Sequence, residues 1–229
     1  MLFPLVGRLR ERAGLERRVV RPGDDVVIEG YPRSGNSFAT MAFRRAQGSD
    51  VRIGNHFHAA AQIALARRYR VPALVVIRDP IDAVLSFCVF HQGNVSVEDA
   101  LCRFLAFYTP LLKVTESWVP APFEEVTTDF AASIQRLNTH FGVRFGVYKN
   151  SSEEDAKTFQ LMEQRRLERL ETDRDHAGSL ARQAIPSALK DELKRGYVQQ
   201  LDDVKVRSLL VRSKQLYSAV LDHPSLSGA

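Results

Sequence analysis

Between Asp25 and Gln47 the chain reads DVVIEG, YPRSGNS and FATMAFRRAQ. No other stretch limits the fold so tightly. Val26, Val27 and Ile28 are three β-branched residues in succession, which suits a parallel strand buried on both faces. Beyond the loop, Phe38, Met41, Ala42 and Ala46 recur at helical spacing on one apolar stripe, so strand and helix can pack together. A glycine-containing loop that enters a helix leaves the backbone N–H groups from Ser34 to Phe38 without intrahelical acceptors and adds the positive end of the helix dipole. The stretch therefore predicts an anion site, most economically a phosphate site. Without a ligand, the same residues would be a tight βα turn.

The spacing Gly30-x4-Gly35-Asn36-Ser37 is nearly that of an ATP-type P-loop, but Asn36 stands where such a loop needs lysine. That lysine reaches the outer phosphates, and phosphoryl transfer from ATP depends on it. Here the fixed cation comes earlier, at Arg33. The run from Pro32 to Ser37 resembles the 5′-phosphosulfate loop of the sulfotransferases that use 3′-phosphoadenosine 5′-phosphosulfate (PAPS). The resemblance implies that Arg33, Ser34, Gly35, Asn36, Ser37 and Phe38 hold the 5′ end of that nucleotide.

A second motif follows in PALVVIRDPIDAVLSFCVFHQG. Ala73 to Ile77 predicts another buried parallel strand, with Asp79 as the N-cap of the next helix and Pro80 as its first residue. Ile81, Val84, Leu85, Cys88 and Val89 would face the core, while Asp79, Asp82 and Ser86 make a different stripe. Ser86 then lies roughly 10 Å along the axis from the cap, at about 1.5 Å per residue. An arginine leaving the strand end can meet its hydroxyl at one bound group, so Arg78 and Ser86 could share a phosphate. An arginine at a strand end, a short acidic turn and a serine eight residues beyond the arginine are similar to the same family's 3′-phosphate motif. By that resemblance Arg78 and Ser86 read the 3′-phosphate. Taken by itself, Arg78 also fits an ion pair with Asp79 or Asp82.

Between the two motifs, Val51 to Ile53 predicts a short strand, Gly54 a break, and His58 to Tyr69 a helix. His56 and His58 fall at or just past the strand end, on the carboxyl edge where functional groups gather in an open parallel sheet. The family places a base histidine directly after its short second strand, so the resemblance assigns the base to His56 and leaves His58 to begin the helix. Further on, Val97 to Ser117 reads as one long helix with Leu101, Phe104, Leu105, Tyr108 and Leu112 inward. Pro122 to Val126 reads as a later strand, with Glu124 and Glu125 in a turn or as substitute bases. Ser151 to Glu171 is a solvated, charged helix.

The resemblance covers roughly residues 25–145. Residues 150–229 form a helical C-terminal part that lacks the glycine-rich basic loop many members close over the adenosine, and near Gly178 to Leu180 only Arg182, Lys190 and Lys194 are available as weak substitutes. Residues 1–20 set Leu2, Leu5, Val6 and Leu9 among arginines. They fit either a basic amphipathic segment in peripheral contact with an anionic membrane or a terminal helix docked on its own domain. Arg8 and Arg10 interrupt any secretory h-region, and no apolar run reaches the length of a membrane span, so a cytoplasmic location is expected. Cys88 and Cys102 sit in apolar helical patterns and read as reduced core residues.

At 229 residues, 45% hydrophobic and 26% charged, the chain suits one sizeable core, and its formal charge of +5 favours anionic ligands over others. The expectation is a single α/β domain of the P-loop type, a central parallel sheet of about four or five strands flanked by helices. With the resemblance, it becomes a metal-independent sulfotransferase that moves a sulfuryl group from PAPS to a hydroxyl or amine of a small-molecule, glycan or lipid acceptor, leaving 3′-phosphoadenosine 5′-phosphate (PAP). Arg33 would stabilise the leaving phosphate and His56 would take the acceptor proton; no nucleic-acid partner is implied. Two other classes fit the residues: a nucleotide kinase or NTPase, against which Asn36 speaks, and a non-catalytic module that binds an anion or a membrane.

Overall fold

The structure is a computed structural model that describes residues 18–92, 94–172 and 188–226. The basic run through residue 17, Gly178 to Leu180 and Arg182 lie outside the described residues. Four parallel strands, β1 (Val26–Gly30), β2 (Ile53–Asn55), β3 (Ala73–Ile77) and β4 (Val119–Pro122), make one sheet in the order β2-β1-β3-β4. The register sets Ile28 between Asn55 and Leu74, and Leu74 beside Val119. Along the chain the helices are α1 (Asn36–Ala46), α2 (Ala60–Tyr69), α3 (Pro80–His91), α4 (Val97–Tyr108), α5 (Phe123–Thr128), α6 (Phe130–Phe141), α7 (Ser152–Thr172), α8 (Ala188–Val198) and α9 (Val204–Leu221).

The sheet separates two cores because successive strand residues point to opposite faces. Val26, Ile28, Leu74, Val76, Val119 and Ala121 pack with Phe38, Ala42 and Phe43 of α1 and with Ile134 and Leu137 of α6. Val27, Ala73, Val75 and Ile77 face the other way, toward α2, α3, α4 and α9. A sheet covered on both faces explains why the strands read as continuous apolar runs. Asp79 caps α3 as expected, its carboxylate accepting from the backbone N–H groups of Ile81 at 2.9 Å and Asp82 at 3.2 Å, with Pro80 first in the helix.

Several boundaries differ from the sequence expectation, each for a local reason. β2 runs through Gly54 to Asn55, which pair with Val27 and Ile28 of β1, and the glycine lets Val20 pass where an added Cβ would lie 3.1 Å from its own. Asn55 is also paired with Arg18 in an antiparallel bridge. α2 starts at Ala60, since His58 has φ 51° and cannot open a right-handed helix. α4 stops at Tyr108, where Thr109–Lys113 tightens into a 3-10 turn around Pro110. β4 comes earlier than Pro122 to Val126: its prolines at 120 and 122 are tolerated on an edge strand, and the following FEEVTT coils into α5. Cys102 is exposed on α4 whereas Cys88 is buried, so only one of the two is a core residue. α7 is charged and docks on α1 through an Arg45–Glu154 ion pair and through Phe159, whose ring centroid lies 5.2 Å from that of Phe38. Among the described residues no helix is long and apolar enough to cross a membrane.

Candidate functional site

The loop from Tyr31 to Gly35 joins β1 to α1 at the carboxyl edge of the sheet. Its entry and exit are fixed by glycines. A Cβ on Gly30 would lie 2.2 Å from the carbonyl oxygen of Val76, and Gly35 caps α1 at φ 98°. Gly35 offers no side-chain cap and the first turn of α1 holds no acid. The N–H groups at that helix start are therefore directed at whatever lies over the loop. Asn36, at the position of the P-loop lysine, is buried, and its amide donates to the carbonyl of Tyr31 at 2.9 Å. It fastens the loop from within. Tyr31 is itself anchored: its backbone N–H donates to the Tyr108 hydroxyl at 3.1 Å and its own hydroxyl donates to the Ala100 carbonyl at 3.1 Å.

Arg33 sits at φ 69°, a conformation of limited tolerance for a side chain, and its Nε donates to the hydroxyl oxygen of Ser86 at 3.2 Å. Its guanidinium also lies over the Phe90 ring, 5.3 Å from the centroid. Arg78 comes from the end of β3. One of its Nη groups donates to the Arg33 carbonyl at 3.4 Å, the other stands 3.6 Å from Asp82, and the guanidinium stacks on Phe123 at 4.0 Å. The two sequence motifs thus meet at one place. Burial, and then the charge of Arg78, lower the Arg33 pKa from its ordinary value to about 10; an anion beside it would offset both effects by favouring the charged form.

His56 and His58 also have positive φ, 60° and 51°, so three of the five described non-glycine residues with that geometry lie in this site. The turn they make is held by Glu29, which is fully buried and accepts from the N–H groups of Phe57 at 2.7 Å and His58 at 3.0 Å. His58 Nδ1 lies 2.7 Å from the Gly30 carbonyl oxygen and 3.8 Å from Glu29. A carbonyl can only accept, so Nδ1 carries a proton, and in the neutral imidazole Nε2 holds the lone pair. His56 Nε2 stands 3.2 Å from the Ser37 hydroxyl. The two rings are close, 5.8 Å between centroids, but their surroundings differ.

A cavity of about 430 Å³ opens beside the loop, with Tyr31, Pro32, His58, Phe87, Arg103 and Phe107 among its walls. His58 lines it and His56 does not. Glu124 is exposed, while Glu125 makes a double hydrogen bond to Arg136 at 2.9 and 2.6 Å and is committed to the fold. Lys190 and Lys194 both lie on α8. Glu29, Phe123 and Arg103 were not singled out by sequence reasoning. Glu29 left a signal, being a lone carboxylate inside the apolar strand VVIEG. Phe123 and Arg103 left none, since their places depend on how α4 and α5 pack.

No protein-family model matches the chain, and no curated protein matches it. Among solved structures it is similar to mouse sulfotransferase SULT7A1 complexed with PAP, at 12% identity and a TM-score of 0.46, over 85% of this chain and 90% of that one.

Proposed function

We propose that the protein is a sulfotransferase that binds PAPS across the Arg33 loop and the Arg78–Ser86 pair and moves its sulfuryl group to an acceptor hydroxyl or amine, with a histidine as base. The convergence of the two motifs is the observation that supports this most: Arg78 bonds the carbonyl of Arg33, and Arg33 bonds the hydroxyl of Ser86. Two guanidinium groups from separate strand ends, a serine hydroxyl and a helix start suit a ligand with two separate phosphate groups. The donor set and the close-fitting glycines agree with a 3′,5′-substituted nucleotide.

When bound, PAPS supplies a sulfuryl group that leaves the 5′-phosphate oxygen and bonds to the acceptor atom. The residues here do the rest. His58 takes the acceptor proton at Nε2, since its Nδ1 proton is given to the Gly30 carbonyl. Glu29, 3.8 Å from Nδ1, offsets the charge of the imidazolium that forms. Arg33 and the N–H groups from Ser34 to Phe38 face the charge left on the departing phosphate. His56, which the family resemblance would make the base, is instead set against Ser37 and acts on the loop.

A phosphotransferase using ATP is the rival reading, and Asn36 buried against Tyr31 weighs against it. A thermal-shift panel separates the two, because a ligand of the folded state raises stability by mass action. PAPS and PAP should raise the melting temperature with or without Mg²⁺. A shift by ATP with Mg²⁺ and none by PAP would overturn the proposal.

A further inference from the structure

We infer that the cavity beside His58 is the acceptor site, and that it selects acceptors with a compact apolar body bearing the reacting hydroxyl at one end and a carboxylate or similar anion at the other, held by Arg103. The inference rests on the proposed sulfuryl transfer, which requires the reacting hydroxyl to reach both His58 and the loop. Tyr31 and Pro32 belong to that loop and, with His58, line the cavity. Phe87 and Phe107 supply aromatic walls.

The volume of about 430 Å³ lies in the usual range for small-molecule sites, on the order of 300–1,000 Å³. It is room for one compact molecule. Among the described residues that line it none is acidic, and Arg103 is the one permanent cation. The Arg103 guanidinium is held against the Phe87 ring, 5.8 Å from its centroid, which keeps the charge on the aromatic wall. Among the described residues no carboxylate forms a salt bridge with it. A planar guanidinium at the side of an apolar cavity, with its donors unclaimed by acids, matches a carboxylate in charge and in fork geometry. A neutral phenol or sterol would leave that charge to solvent and gain nothing from it, and a cationic amine would be repelled.

Direct titration tests this apart from turnover. Wild type and Arg103→Gln, each with and without saturating PAP, are titrated calorimetrically with 3-(4-hydroxyphenyl)propanoate and with its neutral amide. Wild type should bind the carboxylate about three- to fivefold more tightly than the amide, the gain expected of an ion pair to an exposed guanidinium. In Arg103→Gln that preference should fall to about one while PAP affinity stays within about twofold, since Arg103 is exposed and lies on α4, outside both nucleotide motifs. Equal binding of both probes by wild type, or a preference that survives Arg103→Gln, overturns the inference. Absence of PAP binding together with an intact, Arg103-dependent carboxylate preference would sink the sulfuryl-transfer reading and leave the anion selectivity of the cavity standing.

Discussion

The Nε of Arg33 and the hydroxyl of Ser86, 53 residues apart in sequence, are joined by a 3.2 Å hydrogen bond. The cation of the first motif is thereby tied to the helix of the second, and the two ought to act as a unit. Arg33→Ala and Ser86→Ala should each weaken PAP binding, and the double variant should lose less than the sum. The expected coupling is about 0.5–1.5 kcal/mol, that of a hydrogen bond measured by a double-mutant cycle. Strict additivity in calorimetric titrations would mean that the two residues serve the nucleotide independently.

The proposed base is separable from its neighbour. General-base catalysis typically supplies about 10²–10⁴-fold in rate, so His58→Ala should lose at least about a hundredfold in turnover with PAP affinity unchanged. His56→Ala should lose much less. Glu29→Gln keeps the shape of the buried side chain but removes its charge and one of the two acceptors that hold the Phe57 and His58 N–H groups, and should lower turnover and stability while leaving PAP affinity nearly as it was. Steady-state rates paired with PAP titrations check all three. A larger loss in His56→Ala than in His58→Ala would return the role to His56.

Asn36 provides a test of the phosphotransferase alternative. Asn36→Lys restores the P-loop lysine but removes the bond to the Tyr31 carbonyl and forces a longer side chain into a buried position. Loss of the hydrogen bond, about 1 kcal/mol, and overpacking, about 1–3 kcal/mol, should lower the melting temperature by several degrees. No ATP hydrolysis should appear. Mg²⁺-dependent ATPase activity in a fully stable variant would show that the loop is an ordinary P-loop with one residue exchanged.

His223 should give the fold a pH dependence of its own. Its Nε2 donates to the Thr115 carbonyl at 2.9 Å, and Nδ1 accepts from the Ser225 N–H at 3.2 Å, with the ring 4.6 Å from Trp118. Burial lowers its pKa below the usual range, the Thr115 bond opposes the shift, and nearby His140 and Arg136 reinforce it. The unfolded chain then binds the proton more readily than the folded one. Its contribution is fully present above the unfolded value of about 6.5 and is lost as pH falls through the folded value. Melting temperatures between about pH 7.5 and pH 5.5 should therefore fall less steeply in His223→Gln than in wild type. Identical slopes would remove His223 from the account of acid stability.

Three strands, the loop and the cap of α3 were legible because they rest on local patterns: buried β-branched runs, glycines that admit close approach, and an Asp-Pro helix start. Arg78 and Ser86 stood out by their eight-residue spacing, but their contacts with Arg33 did not. Sequence reasoning misplaced β4, since the prolines of VPAP discourage a strand unless the strand is known to lie at the sheet edge. It also read His58 as the start of a helix. The positive φ of that residue comes from Glu29, which reaches across from β1 to hold the N–H groups of the turn, and no spacing along the chain records such a contact. The cavity was invisible for the same reason, its walls coming from the loop, the histidine turn, α3 and α4.

The central claim is that Arg78 and Ser86 read a 3′-phosphate, the group that sets PAPS and PAP apart from ADP and ATP. The measurement is the ratio of PAP to ADP affinity, by calorimetry, in wild type and in Arg78→Ala. An arginine–phosphate hydrogen bond contributes on the order of 1.5–3 kcal/mol. ADP should also weaken somewhat in the variant, because Arg78 supports the Arg33 carbonyl at 3.4 Å. The account predicts that wild type prefers PAP and that the ratio falls by about tenfold or more in Arg78→Ala. Equal affinity for PAP and ADP in wild type, or an unchanged ratio in the variant, would contradict it.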